Sequence, residues 1–141
     1  MLFVGTHEHA LDQKGRVVLP AKFRLRFDSE AFIAPAAGCI AIYTPDAFNE
    51  MIFRLQTQIQ EGKIESKILR RLAASSDEQR LDAQGRVTIP QRLREFASLG
   101  DEVFLCGAIT HIEIWNITAW ENMASDSDGS LAEAFLQGAG I

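Results

Sequence analysis

The feature that most constrains this chain is that it nearly repeats itself. Leu11-Asp12-Gln13-Lys14-Gly15-Arg16-Val17-Val18-Leu19-Pro20-Ala21-Lys22-Phe23-Arg24 aligns, 70 residues on, with Leu81-Asp82-Ala83-Gln84-Gly85-Arg86-Val87-Thr88-Ile89-Pro90-Gln91-Arg92-Leu93-Arg94, and seven of these 14 positions are identical. At offset 72, Ile40-Ala41-Ile42-Tyr43 and Ala47-Phe48-Asn49-Glu50-Met51 align with Ile112-Glu113-Ile114-Trp115 and Ala119-Trp120-Glu121-Asn122-Met123. Half of a 141-residue chain supplies too small a core to stand alone, so the two copies are expected to share one core about a pseudo-twofold axis.

Each copy reads as strand, turn, strand, short helix, strand, strand, helix. The strands are expected at residues 7–11 and 76–81, 16–19 and 86–89, 31–34 and 103–106, and 40–43 and 112–115. Val17 with Leu19 and Val87 with Ile89 alternate toward a core. Pro20 and Pro90 suit the first helical position, where no amide is needed, and Phe23 with Phe27 and Leu93 with Ala97 give the short helices one apolar side. Phe48, Ile52, Leu55 and Ile59, after Thr44-Pro45-Asp46, predict an amphipathic helix that Gly62 breaks; Ile64, Ile68 and Leu72 predict another. The organisation is therefore repeat 1 over 3–51, a helical linker over 52–75, repeat 2 over 76–123 and an acidic C-terminal tail over 124–141. In that tail Ser125 to Ser130 reads as a loop and Leu131 to Gln137 as a short helix.

Charge is unevenly placed. The net charge is −5, yet residues 1–94 hold all 14 Lys and Arg and are net +3, whereas residues 95–141 hold none and are net −8. Nine basic residues fall in two windows: Lys14, Arg16, Lys22, Arg24 and Arg26, then Arg80, Arg86, Arg92 and Arg94. Local field, not net charge, decides whether a phosphate backbone docks, although solvated helix faces also carry such charge. The longest uncharged stretch, Ala31 to Pro45, is too short to span a bilayer and holds Pro35 and Gly38. The opening Met1-Leu2-Phe3-Val4-Gly5 lacks the basic and apolar regions of a secretory leader, so none is expected. Cys39 and Cys106 make no disulfide framework.

The sharpest motif is the doubled Asp-x-x-Gly-Arg-x-x-[Leu/Ile]-Pro. Asp12 and Asp82 are suited to accept hydrogen bonds from turn amides, and Gly15 and Gly85 to supply a positive φ. Neither need explains Arg16 and Arg86. An arginine on a rigid corner presents a planar fork to phosphate or to the O6/N7 edge of guanine; alternatively each arginine pairs with its own aspartate and locks the turn.

This doubled motif, the opening Phe3-x-Gly5, and the stretch from Asp82-Ala83-Gln84-Gly85-Arg86 through Ile112-Glu113-Ile114-Trp115 resemble the MraZ family, bacterial members of the AbrB-type swapped-hairpin DNA-binding superfamily. The likeness covers about residues 3–123. It implies an α+β fold, mainly β, in which two AbrB-like swapped-hairpin halves share one pseudo-twofold, barrel-like core flanked by helices. It implies a cytoplasmic, nucleoid-associated transcriptional regulator, a repressor of the cell-division and cell-wall gene cluster that includes its own gene. Its partner is double-stranded DNA with short direct repeats, bound by a ring-shaped homo-oligomer, with no cofactor, metal or membrane. By the motif, the DNA-contacting residues are Arg16 and Arg86, with Lys14, Lys22, Arg24, Arg92 and Arg94 as helpers. Gln84 stands where the first copy has Lys14, so the two loops need not contribute equally.

Other readings rest on single features. Asp12 and Asp82 are related by the repeat as a catalytic dyad is, but the Thr/Ser-Gly that follows a proteolytic aspartate is missing, and no enzyme is expected. His7 and His9 share a strand face, with His111 the only other histidine, and Asp126 with Asp128 lacks the glycine and glutamate of a calcium loop, so no metal is expected. A ring serving only as an adaptor remains open, and an antitoxin would show one motif followed by a disordered tail.

Overall fold

In each central strand, apolar side chains point both ways, so both faces of the sheet have to be covered. The structure, a computed structural model, describes residues 2–138. In chain order the elements are β1 (Thr6–Ala10), β2 (Arg16–Val18), α1 (Ala21–Arg24), β3 (Glu30–Pro35), β4 (Ile40–Tyr43), α2 (Pro45–Gln60), α3 (Ser66–Ser75), β5 (Asp77–Arg80), β6 (Arg86–Thr88), α4 (Gln91–Phe96), β7 (Glu102–Gly107), β8 (Ile112–Asn116) and α5 (Ile117–Leu136). The fold is α+β, with a six-stranded antiparallel sheet in the order β1-β7-β8-β4-β3-β5 and a two-stranded ribbon, β2-β6. The sheet is open, with β1 and β5 at its edges, so the barrel-like core is a sheet capped by a ribbon rather than a closed cylinder.

Strand order exposes the exchange between the repeats. β1 of the first copy pairs with β7 of the second (His7 opposite Leu105), and β5 of the second pairs with β3 of the first (Phe32 opposite Glu78). The middle of the sheet is the β4–β8 pair, in which Ala41 faces its own repeat mate Glu113; in the ribbon Val17 likewise faces Val87. The pseudo-twofold axis runs through these two pairs. The strands flanking Gly15 and Gly85 therefore do not form hairpins of their own: they part after the turn and find partners in the other copy. Sequence pattern reveals alternation but not which copy supplies the neighbour.

Alternation sorts the side chains. Ile33, Ile40, Ile42, Leu105, Ile112 and Ile114 line the inner face, at 0% exposure, against Val17, Leu19, Val87 and Ile89 from the ribbon, with Phe23 and Leu93 from α1 and α4. Each such fully buried side chain contributes about 1.5–3 kcal/mol. The outer face carries Ala41 and Tyr43, covered by Phe48 of α2 and Leu72 of α3, and beside them Cys39, Cys106 and Trp115, covered by Trp120 and Met123 of α5. Burial pushes the thiols of Cys39 and Cys106 up to about 12 and about 11, which suits packing, not redox chemistry.

Two boundaries differ from expectation. Pro20 and Pro90 stand one residue ahead of α1 and α4, where their carbonyls accept from Phe23 and Arg24 and from Leu93 and Arg94. The stretch Ser125 to Ser130, read as a loop, lies inside α5, which runs unbroken for 20 residues to Leu136. Asn116 caps that helix by accepting from the Ala119 amide, Trp120 and Met123 anchor its first turns, and Ser127 turns its hydroxyl back onto the Met123 carbonyl. Serine, aspartate and glycine weaken a helix but, without proline, do not stop it. Residues 139–141 of the expected tail lie outside the described residues.

The two turns share one geometry. Gly15 and Gly85 donate to the carbonyls of Asp12 and Asp82, and adopt φ of +77° and +75°. This is a type I turn closed by a left-handed residue. A Cβ at Gly15 would also lie 2.9 Å from Arg94 Nε, and one at Gly85 2.7 Å from Arg24 Nε. Gly15→Val and Gly85→Val are each expected to lower stability by about 1–3 kcal/mol through backbone strain, with added crowding of the arginine. Thermal melts that overlay the parent would show the turns tolerate a side chain.

Candidate nucleic-acid interface

The ribbon presents one face to the core and one to solvent. Val17 and Val87 point in; Arg16, Val18, Arg86 and Thr88 point out. Arg16 lies opposite Thr88 and Arg86 opposite Val18, which makes the two arginines diagonal neighbours on the same face, about 7–8 Å apart at the backbone. The ribbon is tied at both ends by bonds between copies: the Leu19 amide donates to the Gly85 carbonyl at 3.0 Å, and the Ile89 amide to the Gly15 carbonyl at 2.8 Å. Gln79 of β5 adds a side-chain clasp, accepting from the Thr88 amide and donating to the Thr88 carbonyl.

Each turn holds its arginine by its aspartate. One Asp12 oxygen accepts from the amides of Lys14 and Arg16, both at 2.9 Å, and the other from Arg16 Nε at 2.6 Å. Asp82 does the same with the amides of Gln84 and Arg86, at 2.9 and 2.8 Å, and with Arg86 Nε at 2.6 Å. Among the described residues, neither Nη of Arg16 or Arg86 is seen to donate to protein. The two alternatives for these arginines are thus compatible: Nε locks the turn while the outer edge of each guanidinium stays available, and its orientation is already fixed. The arginine amide, foremost, then its guanidinium and the amide two residues after the aspartate, hold the carboxyls of Asp12 and Asp82 below the usual carboxylate range. Each aspartate is closed on its own turn and ionised, so the pair is not arranged to share a proton.

The structure distributes the remaining candidates between the copies. Arg94 of the second repeat lies over Gly15 of the first, while Arg24 of the first lies over Gly85 and donates from Nη2 to the Ala83 carbonyl at 3.0 Å. Each turn therefore gathers cations from both halves. With Lys14, Arg16 and Arg94 against Asp12, the first turn keeps two uncompensated cations; with Arg86 and Arg24 against Asp82, the second keeps one. Lys22 and Arg92 are set apart from the turns. Lys22 Nζ lies against Gly5, and Arg92 donates to the Ser75 carbonyl at the end of α3. Val18, Gln79 and Thr88 were not singled out by the motif. Thr88 and Val18 were detectable as the outward positions of a strand pair, but only once that pair was known. His7 and His9 stand ring to ring at 6.4 Å, and among the described residues no group of three His, Cys, Asp or Glu is placed to hold a metal ion. No helix among them is long and apolar enough to cross a membrane.

Asp12 and Asp82 contribute to stability with a definite sign. A carboxyl whose folded pKa is depressed stabilises the fold above its unfolded pKa, and this contribution is lost as pH falls through the folded value. Stability is therefore expected to decline on acidification below the ordinary carboxylate range, and Asp12→Asn/Asp82→Asn to flatten that decline. Some acid sensitivity is retained, because Glu113, held down first by His111 and also by Trp115 Nε1, remains. Urea unfolding at a series of pH values measures this; identical pH slopes for parent and variant would remove the turn carboxylates from the account.

The chain is similar to known proteins over nearly its whole length. A family model described as "MraZ protein, putative antitoxin-like" matches twice in tandem, over residues 2–71 and 72–137. A protein named transcriptional regulator MraZ from Cutibacterium acnes is 39% identical over 137 residues, covering 94% of each chain. Proteins of the same name from Salinispora tropica and Mycobacterium tuberculosis are 36% and 34% identical over 133 and 143 residues, covering 94% and 95% of this chain and 94% and 100% of theirs.

Proposed function

The chain belongs to the MraZ family, and from that premise we propose that it is a sequence-specific DNA-binding transcriptional regulator. Its role is that of a repressor of the bacterial cell-division and cell-wall gene cluster, its own gene included. It reads short direct repeats in promoter DNA as a ring-shaped oligomer, in the cytoplasm and associated with the nucleoid. The relatives are named as regulators of transcription, not as enzymes.

The observation that carries this reading is the β2–β6 ribbon, with Arg16 and Arg86 on one face and their forks oriented by aspartates. A major groove about 12 Å wide admits a two-stranded ribbon, and the 7–8 Å spacing of the two arginines is near that of bases two steps apart at 3.4 Å per step. Arg16 and Arg86 contact the bases or the phosphates beside them. Lys14 with Arg94, and Arg24 on the other side, support the two turns, while Lys22 and Arg92 add to the field from further out. The first turn, with its extra cation, grips phosphate more strongly than the second.

Few phosphates are neutralised by one copy, and the net −8 of residues 95–141 opposes the backbone within a Debye length. Affinity therefore comes from several copies on successive repeats, where the second contact is intramolecular and gains roughly 10²–10⁴. Gel shifts with operators of one, two and three repeats test this. Affinity is expected to rise steeply with repeat number and to fall when half a helical turn is inserted between repeats, far more than for a whole turn. Flat affinity across the series would mean that each copy binds alone. Arg16→Ala and Arg86→Ala are each expected to cost about 1–3 kcal/mol in operator binding with an unchanged circular dichroism spectrum. Operator affinity untouched in the double variant would sink the ribbon as the reading surface.

A further inference from the structure

The distal half of α5 stands without support. From Ser125 to Gly138 every residue but Ala134 is exposed, and Leu131, Phe135 and Leu136 are 54%, 52% and 89% exposed. A lone helix of this length and Ser/Asp/Gly content is not self-sustaining in water, where even alanine-rich segments need about 12–15 residues. Its repeat mate, α2, has a cover: α3 folds back on it and places Leu72 in one cluster with Met51 and Ile52. No described element follows α5 to play the part of α3.

An unfilled apolar surface of the opposite shape lies elsewhere on the same chain. A cleft of about 370 Å³ between α3 and α4 is lined by Pro35, Ile68, Leu72 and Phe96, with Arg71 and Arg92 among its walls. Ile68 and Phe96 are 47% and 56% exposed. The charges complement one another: Asp126, Asp128 and Glu133 accompany the tail, where there is no basic residue, and the cleft carries two arginines, one of them held in place by the Ser75 carbonyl. The two surfaces do not meet within one chain. Ala119 shares a hollow with Phe96 beside the cleft, and Leu131 is 12 residues further along an unbroken helix, about 18 Å away along its axis.

We propose that the distal half of α5 of one copy seats in the α3–α4 cleft of the next, with Leu131 and Phe135 against Ile68, Leu72 and Phe96, and its carboxylates beside Arg71 and Arg92. The neighbour's α3 then does for α5 what α3 does for α2. The contact is heterologous, since each copy gives one tail and one cleft, and such contacts close into rings or run on as filaments. This inference rests on the ring reading above and names the surface that builds it.

Light scattering on the full chain tests it. The parent is expected to be an oligomer, while Leu131→Glu/Phe135→Glu and Ile68→Glu/Arg71→Glu each run as a monomer with parental circular dichroism. Mixed together, the two variants retain one sound tail and one sound cleft between them and are expected to form a 1:1 dimer and stop there. Variants that keep the parental mass would overturn the contact alone, leaving the tail to another partner and the ring reading intact. A monomeric parent would overturn the ring reading and this contact with it. A mixture that stays monomeric, or grows beyond the dimer, would refute the tail-to-cleft pairing.

Discussion

Two backbone hydrogen bonds, from Leu19 to Gly85 and from Ile89 to Gly15, are the constraint on which the rest of the molecule depends. They tie the end of each ribbon strand to the turn of the opposite copy. Val17 and Val87 are thereby placed over the sheet, which closes the inner core, and Arg16 and Arg86 are placed on its far side. Burial inside and cation display outside are the two faces of a single pleat, so neither is adjustable without the other. Separated from its mate, either copy would lose the partner of its ribbon strand and of an edge strand, and leave unpaired amides over an exposed apolar face.

The pseudosymmetry is a property of the backbone that the side chains partly abandon. On the axis of the sheet, Ala41 faces Glu113, whose carboxylate accepts from Trp115 Nε1 and pairs with His111 Nε2, both at 3.0 Å. The first copy has nothing of the kind at Ala41 and packs Tyr43 and Phe48 there instead. At the turns, Lys14 against Gln84 gives the two ends of the ribbon unequal charge. An object with two equivalent ends presents the same surface in either sense; unequal ends distinguish one direction along the ribbon from the other.

Much of this was legible in the sequence, because the repeat aligned the turns, the alternating strands and the short helices without ambiguity. Val17, Leu19, Val87 and Ile89 were expected in the core and are there, at 2% exposure or less. The partners of the strands were not legible: alternation at β1 says which face of His7 is inward, but not that Leu105 of the other copy lies opposite. The crossing of Arg94 and Arg24 onto each other's turns is hidden for the same reason, being a product of the exchange and not of local spacing. The loop expected at Ser125 to Ser130 failed on a different count. Composition there disfavours a helix residue by residue; continuity with a helix already capped by Asn116 and anchored by Trp120 removes the nucleation step but leaves the distal turns in need of a cover.

The exchange of strands also has a consequence for how the chain comes into being. β2 leaves the ribosome about 70 residues before β6, the only strand it pairs with in the finished ribbon. At roughly 5–20 residues per second, several seconds pass in which Val17, Leu19 and Phe23 have no lid to close under. Two nascent chains on one messenger, each offering a first copy, present each other with near matches for the missing second copy. Exchange between neighbours is a general failure mode of repeat proteins, and here only seven differences separate the two copies of the repeated 14-residue segment.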